Sequence, residues 1–197
     1  MLTHNIEAFQ KRSSDHAAAD LYIGGTYFKK ATGQACFIGC HVQSNDPQKI
    51  EDMYGIPVAL IKIAESIFEN INTTKAKTEF ALEFAAAVGH DGRDLSRVQW
   101  QFLSAMLREI LPQPNAIQAV IDPVIAGINL LASGQKWIAA DAADAAYAAH
   151  AAYAAHAARA AAYAATYAAR AAADAAYAAY VSHDRQRIML IEILIAS

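Results

Sequence analysis

Apolar residues recur every three or four positions over most of this chain, and the intervals between those stretches carry glycine, proline or a capping side chain. Residues 4–19 set Ile6, Phe9 and Ala17 on one side and Lys11 and Arg12 on another, which predicts a short amphipathic helix. Asp46, Pro47 and Gly55 bracket a two-turn helix: aspartate caps a first turn, proline suits its first position and glycine its end. Pro57 opens another, with Leu60, Ile63, Ala64, Ile67 and Phe68 on one face. Thr73 or Thr74 caps a third, in which Phe80, Leu82, Phe84 and Val88 alternate with Lys75, Lys77, Glu79 and Glu83, and GHDG at 89–92 closes it. Asp94 opens a fourth through Leu95, Val98, Phe102, Met106, Leu107 and Ile110, ended by Pro112 and Pro114. A fifth runs from about Ala116 to Leu131, interrupted or kinked at Asp122–Pro123, and Ser133–Gly134 is a joint. The last, 184–196, carries Ile188, Met189, Ile191, Leu194 and Ile195, too apolar to lie exposed; it must return onto the core.

Between the first helix and Asp46 the pattern is weaker. Gly24–Gly25 and KKATGQ are turn signals, and YIGGTYF and ACFIGCHV admit a short hairpin within 22–42.

Residues 139–180 are about two-thirds alanine, with Asp, Tyr, His or Arg at nearly every third or fourth place. Alanine loses no side-chain entropy on entering a helix, so this run predicts a long helix whatever surrounds it. From Asp141 to Arg159 the larger residues step by three and wind round the helix. From Arg159 on they mix threes and fours, and Arg159, Tyr163, Tyr167, Arg170 and Tyr177 fall in one stripe. Such a helix would span about 60 Å, against a diameter near 40 Å for a compact globule of this length. A break is therefore expected between Arg159 and Tyr167, and buried rings are expected at Tyr153 and Tyr163.

The fold class is thus all-α: a multi-helix bundle or array with one long Ala-rich helix near the C-terminus. One helical domain is expected, made of an N-terminal part, 1–132, and the Ala-rich helix with the final helix, 133–197. A formal net charge of −3 gives none of the basic excess that nucleic-acid binding needs. Two cysteines make no disulfide framework and suit a reducing compartment. The N-terminus lacks the apolar core of a signal peptide, and charges interrupt every long apolar run, so no membrane span is expected.

Candidate chemistry is sparse. Cys36 and Cys40 would share a helix face, and with His41 they could hold a soft metal or supply a nucleophile, with His4 or His16 as a distant further ligand. C-x3-C-H is not the spacing of a common zinc module, so reduced, unmetallated thiols and no cofactor are expected. Glu65, Glu69 and Asp52 could pair for acid–base work, but Glu65 and Glu69 beside Lys62 read as a solvated face. His150 and His156, six apart, cannot chelate from one helix. The repeat's tyrosines suit an interface, since the ring gives contact area at low entropy cost.

GQACFIGCHVQSND, then GIPVALIKIAESIFENI, then the alanine–aromatic repeat together resemble a group of uncharacterised bacteriophage and prophage proteins. The resemblance implies a phage-encoded accessory protein acting in the cytoplasm of a bacterial host. It brings no catalytic residue with it.

Three functions follow as expectations. The leading one is a non-catalytic interaction protein that binds a host protein through Arg159, Tyr163, Tyr167, Arg170 and Tyr177, such as an inhibitor of a host defence system of the CRISPR kind. The second is an enzyme or metal-dependent protein centred on Cys36, Cys40 and His41. The third is an ice- or surface-binding helix, which the single Thr of the repeat disfavours. Oligomeric state is open, a homo-oligomer included.

Overall fold

The structure is a computed structural model that describes residues 2–109, 115–137 and 184–197. The Ala-rich run, with its expected helix, its break, its binding stripe, Tyr153 and both its histidines, lies outside the described residues. So do Pro112 and Pro114.

Eight helices are described: α1 (Ile6–Ala18), α2 (Phe37–Val42), α3 (Pro47–Tyr54), α4 (Val58–Asn70), α5 (Thr74–Val88), α6 (Val98–Glu109), α7 (Asn115–Ala132) and α8 (184–196). The class is all-α. In place of the hairpin within 22–42 there are two isolated bridges, Tyr22 with Ala35 and Phe28 with Ala35, followed directly by α2. No helix among the described residues is long and apolar enough to cross a membrane.

Several boundaries are chemically set as the pattern predicts. Asp46 accepts the Gln48 N–H ahead of Pro47, and Gly55 ends α3 with φ +67. Thr73 accepts the Ala76 N–H at the start of α5. Two readings change. Asp94 does not open α6; its carboxylate takes the Ser96 N–H in a turn, and the helix begins at Val98. Pro123 does not interrupt α7, which runs continuously to Ala132.

The chain forms two compact units. One comprises residues 2–99 and 184–197 among those described; the other begins at Trp100. In the first, α1 packs on α5 and α2, α2 also on α3 and α4, and α4 on α3 and α5. Its centre is aromatic: Phe9, Phe37, Phe68, Phe80 and Phe84 are fully buried, with Phe37 and Phe84 edge-to-face at 5.1 Å. Each such ring contributes up to about 3 kcal/mol by leaving water.

The final helix returns to this unit, but Ile188 and Ile195, expected to be covered, are exposed. Leu190 and Leu194 are fully buried. Arg93 donates to the Ala87 and Val88 carbonyls that end α5 and to the Leu194 carbonyl of α8, while Thr3 donates its N–H to the Arg93 carbonyl. In the second unit, Ser104 donates to Asn129 at 2.6 Å, tying α6 to α7.

Candidate active site

The segment from Leu21 to Cys36 has no regular structure, yet it is well tied. Ile23 donates to the Ala35 carbonyl, Ala35 to that of Leu21 and Cys36 to that of Thr26. This lays residues 23–27 across the start of α2. The approach is so close that a Cβ on Gly39 would fall 1.4 Å from the Tyr27 carbonyl oxygen, which only glycine avoids.

Cys36 caps α2, its sulfur accepting the Gly39 N–H. Its sulfur lies within 4.8 Å of the Glu65 carboxylate of α4, which accepts the Ile38 N–H at 3.1 Å. One turn on, Glu69 accepts the Gly25 N–H at 2.7 Å. Lys77 of α5 donates to the Phe68 and Glu69 carbonyls at the end of α4 and lies over the Phe68 ring at 4.7 Å. Gly24 closes the group: Glu69 Oε2 and Lys77 Nζ both stand 3.0 Å from where its Cβ would be. Gly24 and Gly25 are exposed; Cys36 beneath them is fully buried.

The electrostatics follow from that burial. Loss of water, then the neighbouring Glu65 charge, push the Cys36 thiol up to about 12. Burial also raises Glu65 above the usual carboxylate range, and burial lowers Lys77 despite the nearby carboxylates. A thiol held as S–H against a carboxylate of raised basicity is the arrangement a general base needs to deprotonate a nucleophile as it attacks.

Cys40 and His41 belong elsewhere. Cys40 contacts the Tyr22 hydroxyl and the Arg12 carbonyl. Burial pushes its thiol up to about 12 as well, but no carboxylate contacts it. His41 stacks on Phe9 at 3.9 Å, with Ser13 at its Nε2 and no partner at Nδ1. Burial and the Arg12 guanidinium hold it down to about 3. Of the distant ligands considered, His4 contacts the Leu2 and Asp52 carbonyls, and His16 lies against Tyr22. Both cysteines are free thiols. At the other end of α2 a pocket of about 290 Å³ is lined by Arg12, His41, Lys49 and Asp52 among others.

Among the described residues, one group of three could share an ion, and it is not the expected one: Cys36, Glu65 and Glu69, with ligand atoms within 4.8 Å of one another. The donor set suits zinc. The ammonium of Lys77 opposes it, since two unit charges 4 Å apart near a protein surface repel by about 4 kcal/mol and a divalent ion doubles that. The lysine supplies the countercharge a metal would otherwise bring.

The sequence names Glu65 and Glu69 as candidate carboxylates and sets them aside as solvated, and Lys77 is the residue that sequence reasoning missed. Glu65 is not on a solvated face. Lys77 is not part of an alternating polar set: it is 7 % exposed and lies on the α5 stripe of Phe80, Ala81, Phe84, Ala85 and Val88, while Leu82 is exposed. A lysine on a core stripe was the readable signal, as was a like-charged Glu65–Glu69 pair at i, i+4, which destabilises a helix unless something else satisfies it.

No protein-family model matches the chain, and no curated protein or solved structure is significantly similar to it.

Proposed function

We propose that this protein is a cysteine-dependent enzyme in which Cys36 is the nucleophile and Glu65 its general base. The observation that carries the reading is that the fully buried Cys36 sulfur and carboxylate oxygens of Glu65 and Glu69 lie within 4.8 Å of one another. Holding the Lys77 ammonium in the core beside two half-buried carboxylates costs stability unless the charges are hydrogen-bonded and paired. Of the chemistry expected of this segment, the thiol at 36 is retained, with Glu65, Glu69 and Lys77 in place of Cys40 and His41.

Cys40 is an internal control, equally buried and equally raised but without a base. Iodoacetamide is small and reports thiol nucleophilicity. In the folded protein Cys36 is expected to alkylate ahead of Cys40, and Glu65→Gln is expected to remove that preference, as read by peptide mass spectrometry. Equal, unfolding-limited labelling of both thiols would refute the nucleophile.

A second reading, that the protein works by holding a host protein, is supported by large apolar side chains left on the surface of the first unit. Leu2 is 57 % exposed, Ile188 50 % and Ile195 69 %. Its proposed stripe, Arg159, Tyr163, Tyr167, Arg170 and Tyr177, is tested by alanine replacement and pull-down from a bacterial host. The phage resemblance belongs with this reading.

A further inference from the structure

We infer that the pocket at the far end of α2 binds a small organic carboxylate, held by Arg12 and Lys49 with its tail against Val42 and Met53. The inference is independent of the thiol-enzyme reading: Cys36 caps the start of α2, and this pocket lies where α2 ends.

The pocket holds about 290 Å³, room for a small metabolite. Helix α1 supplies Arg12, α2 supplies His41 and Val42, and α3 supplies Lys49, Asp52 and Met53. The donors come first. Arg12 is half-buried and gives an Nη1 hydrogen to the His41 carbonyl, which is all that the end of α2 asks of it. Its Nε and Nη2 have no acceptor among the described residues. Those two groups form the flat edge of a guanidinium that pairs side-on with a carboxylate. Lys49 is exposed and has no hydrogen bond or ion pair among the described residues.

Charge and shape narrow the ligand. The lining cations outnumber the carboxylate of Asp52, whose Oδ1 takes the Gln48 amide at 3.0 Å. A monoanion neutralises that excess, whereas a phosphate dianion would reverse it. His41 adds no charge, since burial and Arg12 keep its ring neutral. Met53, 42 % exposed, and Val42 add an apolar side, which suits a short hydrocarbon tail better than a bare ion. The remaining observation is an orphan. His41 is fully buried and is also a wall of the pocket, and its Nδ1 has no hydrogen-bond partner. Its Nε2 meets the Ser13 hydroxyl at 3.3 Å. With that hydroxyl donating, Nδ1 carries the hydrogen and lacks an acceptor. A buried donor left unmade costs stability, and a carboxylate oxygen is the acceptor that would complete it.

The test uses the intact protein with formate, acetate, propionate and butyrate as probes. Phosphate and chloride at matched ionic strength are the anion controls, and 1-propanol is the neutral one. Thermal melts and the nitrogen-15 imidazole signals are the readouts. The carboxylates are expected to raise the melting temperature to saturation, increasingly from formate to butyrate, and to shift the His41 Nδ1 resonance. Lys49→Gln alters an exposed side chain, so it should keep the fold and weaken binding about 10-fold. Arg12→Lys retains the charge but not the flat edge, and should weaken binding by a similar factor. Phosphate saturating where the carboxylates do not would overturn the ligand class. A rise matched by chloride, or indifferent to Lys49→Gln, would overturn the site. Saturation that leaves the His41 resonances unmoved would mean ion pairing at the rim alone and would overturn it equally.

Discussion

The Glu65 carboxylate takes the Ile38 N–H at 3.1 Å and stands within 4.8 Å of the Cys36 sulfur, so one side chain of α4 secures the first turn of α2. Glutamine keeps an acceptor for Ile38 and removes the buried charge. Because burial raises the acid in the fold above its unfolded value, its protonated form is favoured there, and stability is lost as pH rises through that interval. Glu65→Gln should therefore melt at or above the wild-type temperature at pH 8, the advantage vanishing toward pH 4. Thiol reactivity should be lost in the same variant. A lower melting temperature at pH 8 would mean that the carboxylate serves structure first.

His41 gives the opposite sign. Its folded value, held down to about 3 by burial and by Arg12, lies below the unfolded value of 6.5. The unfolded chain then binds a proton that the fold refuses, so the stability present above pH 6.5 is lost as pH falls toward 3. The contribution is about 1.4 kcal/mol per pH unit for one proton. Burial lowers His16 too, in the same direction. His41→Phe retains the stack on Phe9, and urea titrations from pH 6.5 to 5 should show its slope reduced by about one proton against wild type. An unchanged slope would place a proton on His41 in the native protein.

Gly39→Ala forces a Cβ onto the Tyr27 carbonyl oxygen. Backbone cannot yield as a side-chain tip does, so the cost should reach about 3 kcal/mol or more in denaturant titration. Cys36 should label faster at the same time, because the segment over it no longer seats. A stable variant with unchanged labelling would show that the 23–27 segment moves aside freely.

Two arginines of the first unit should differ sharply. Arg93 serves the Ala87, Val88 and Leu194 carbonyls, so Arg93→Met leaves three acceptors without it and should cost about 2–3 kcal/mol. Arg187 pairs with Glu83 at 2.6 Å, but the glutamate side chain is 45 % exposed. Glu83→Gln should cost under about 1 kcal/mol and be sensitive to salt. Equal losses would contradict this ranking.

Helix ends with their own chemistry were legible: Asp46–Pro47, Gly55 and Thr73 act through neighbours at most four residues away, so sequence spacing contains the whole interaction. The return of the last helix was legible, but not its inner face: Leu194 is buried as expected, Ile188 and Ile195 are exposed, and Leu190 takes an inner position. The site was not. Cys36, Glu65 and Lys77 come from three elements, and what joins them is the packing of α2, α4 and α5. Glu65 and Glu69 beside Lys62 look solvated from sequence because the loop that covers them, Gly24–Gly25, has no side chain to announce itself. The cysteine segment was rightly singled out, but adjacency misled: His41 follows Cys40 in the chain and faces Phe9 in the fold.

Arg93 has a consequence for synthesis. Its carbonyl holds Thr3 and its guanidinium holds Leu194, with the whole second unit lying between Arg93 and Leu194 in the chain. On a ribosome the first unit can gather α1 to α5 early, yet the faces of Leu190 and Leu194 stay unfilled until the last helix emerges. Such a long-range closure slows folding and leaves apolar surface open in the interval. Truncation within α8 should therefore convert a folding protein into a chaperone client.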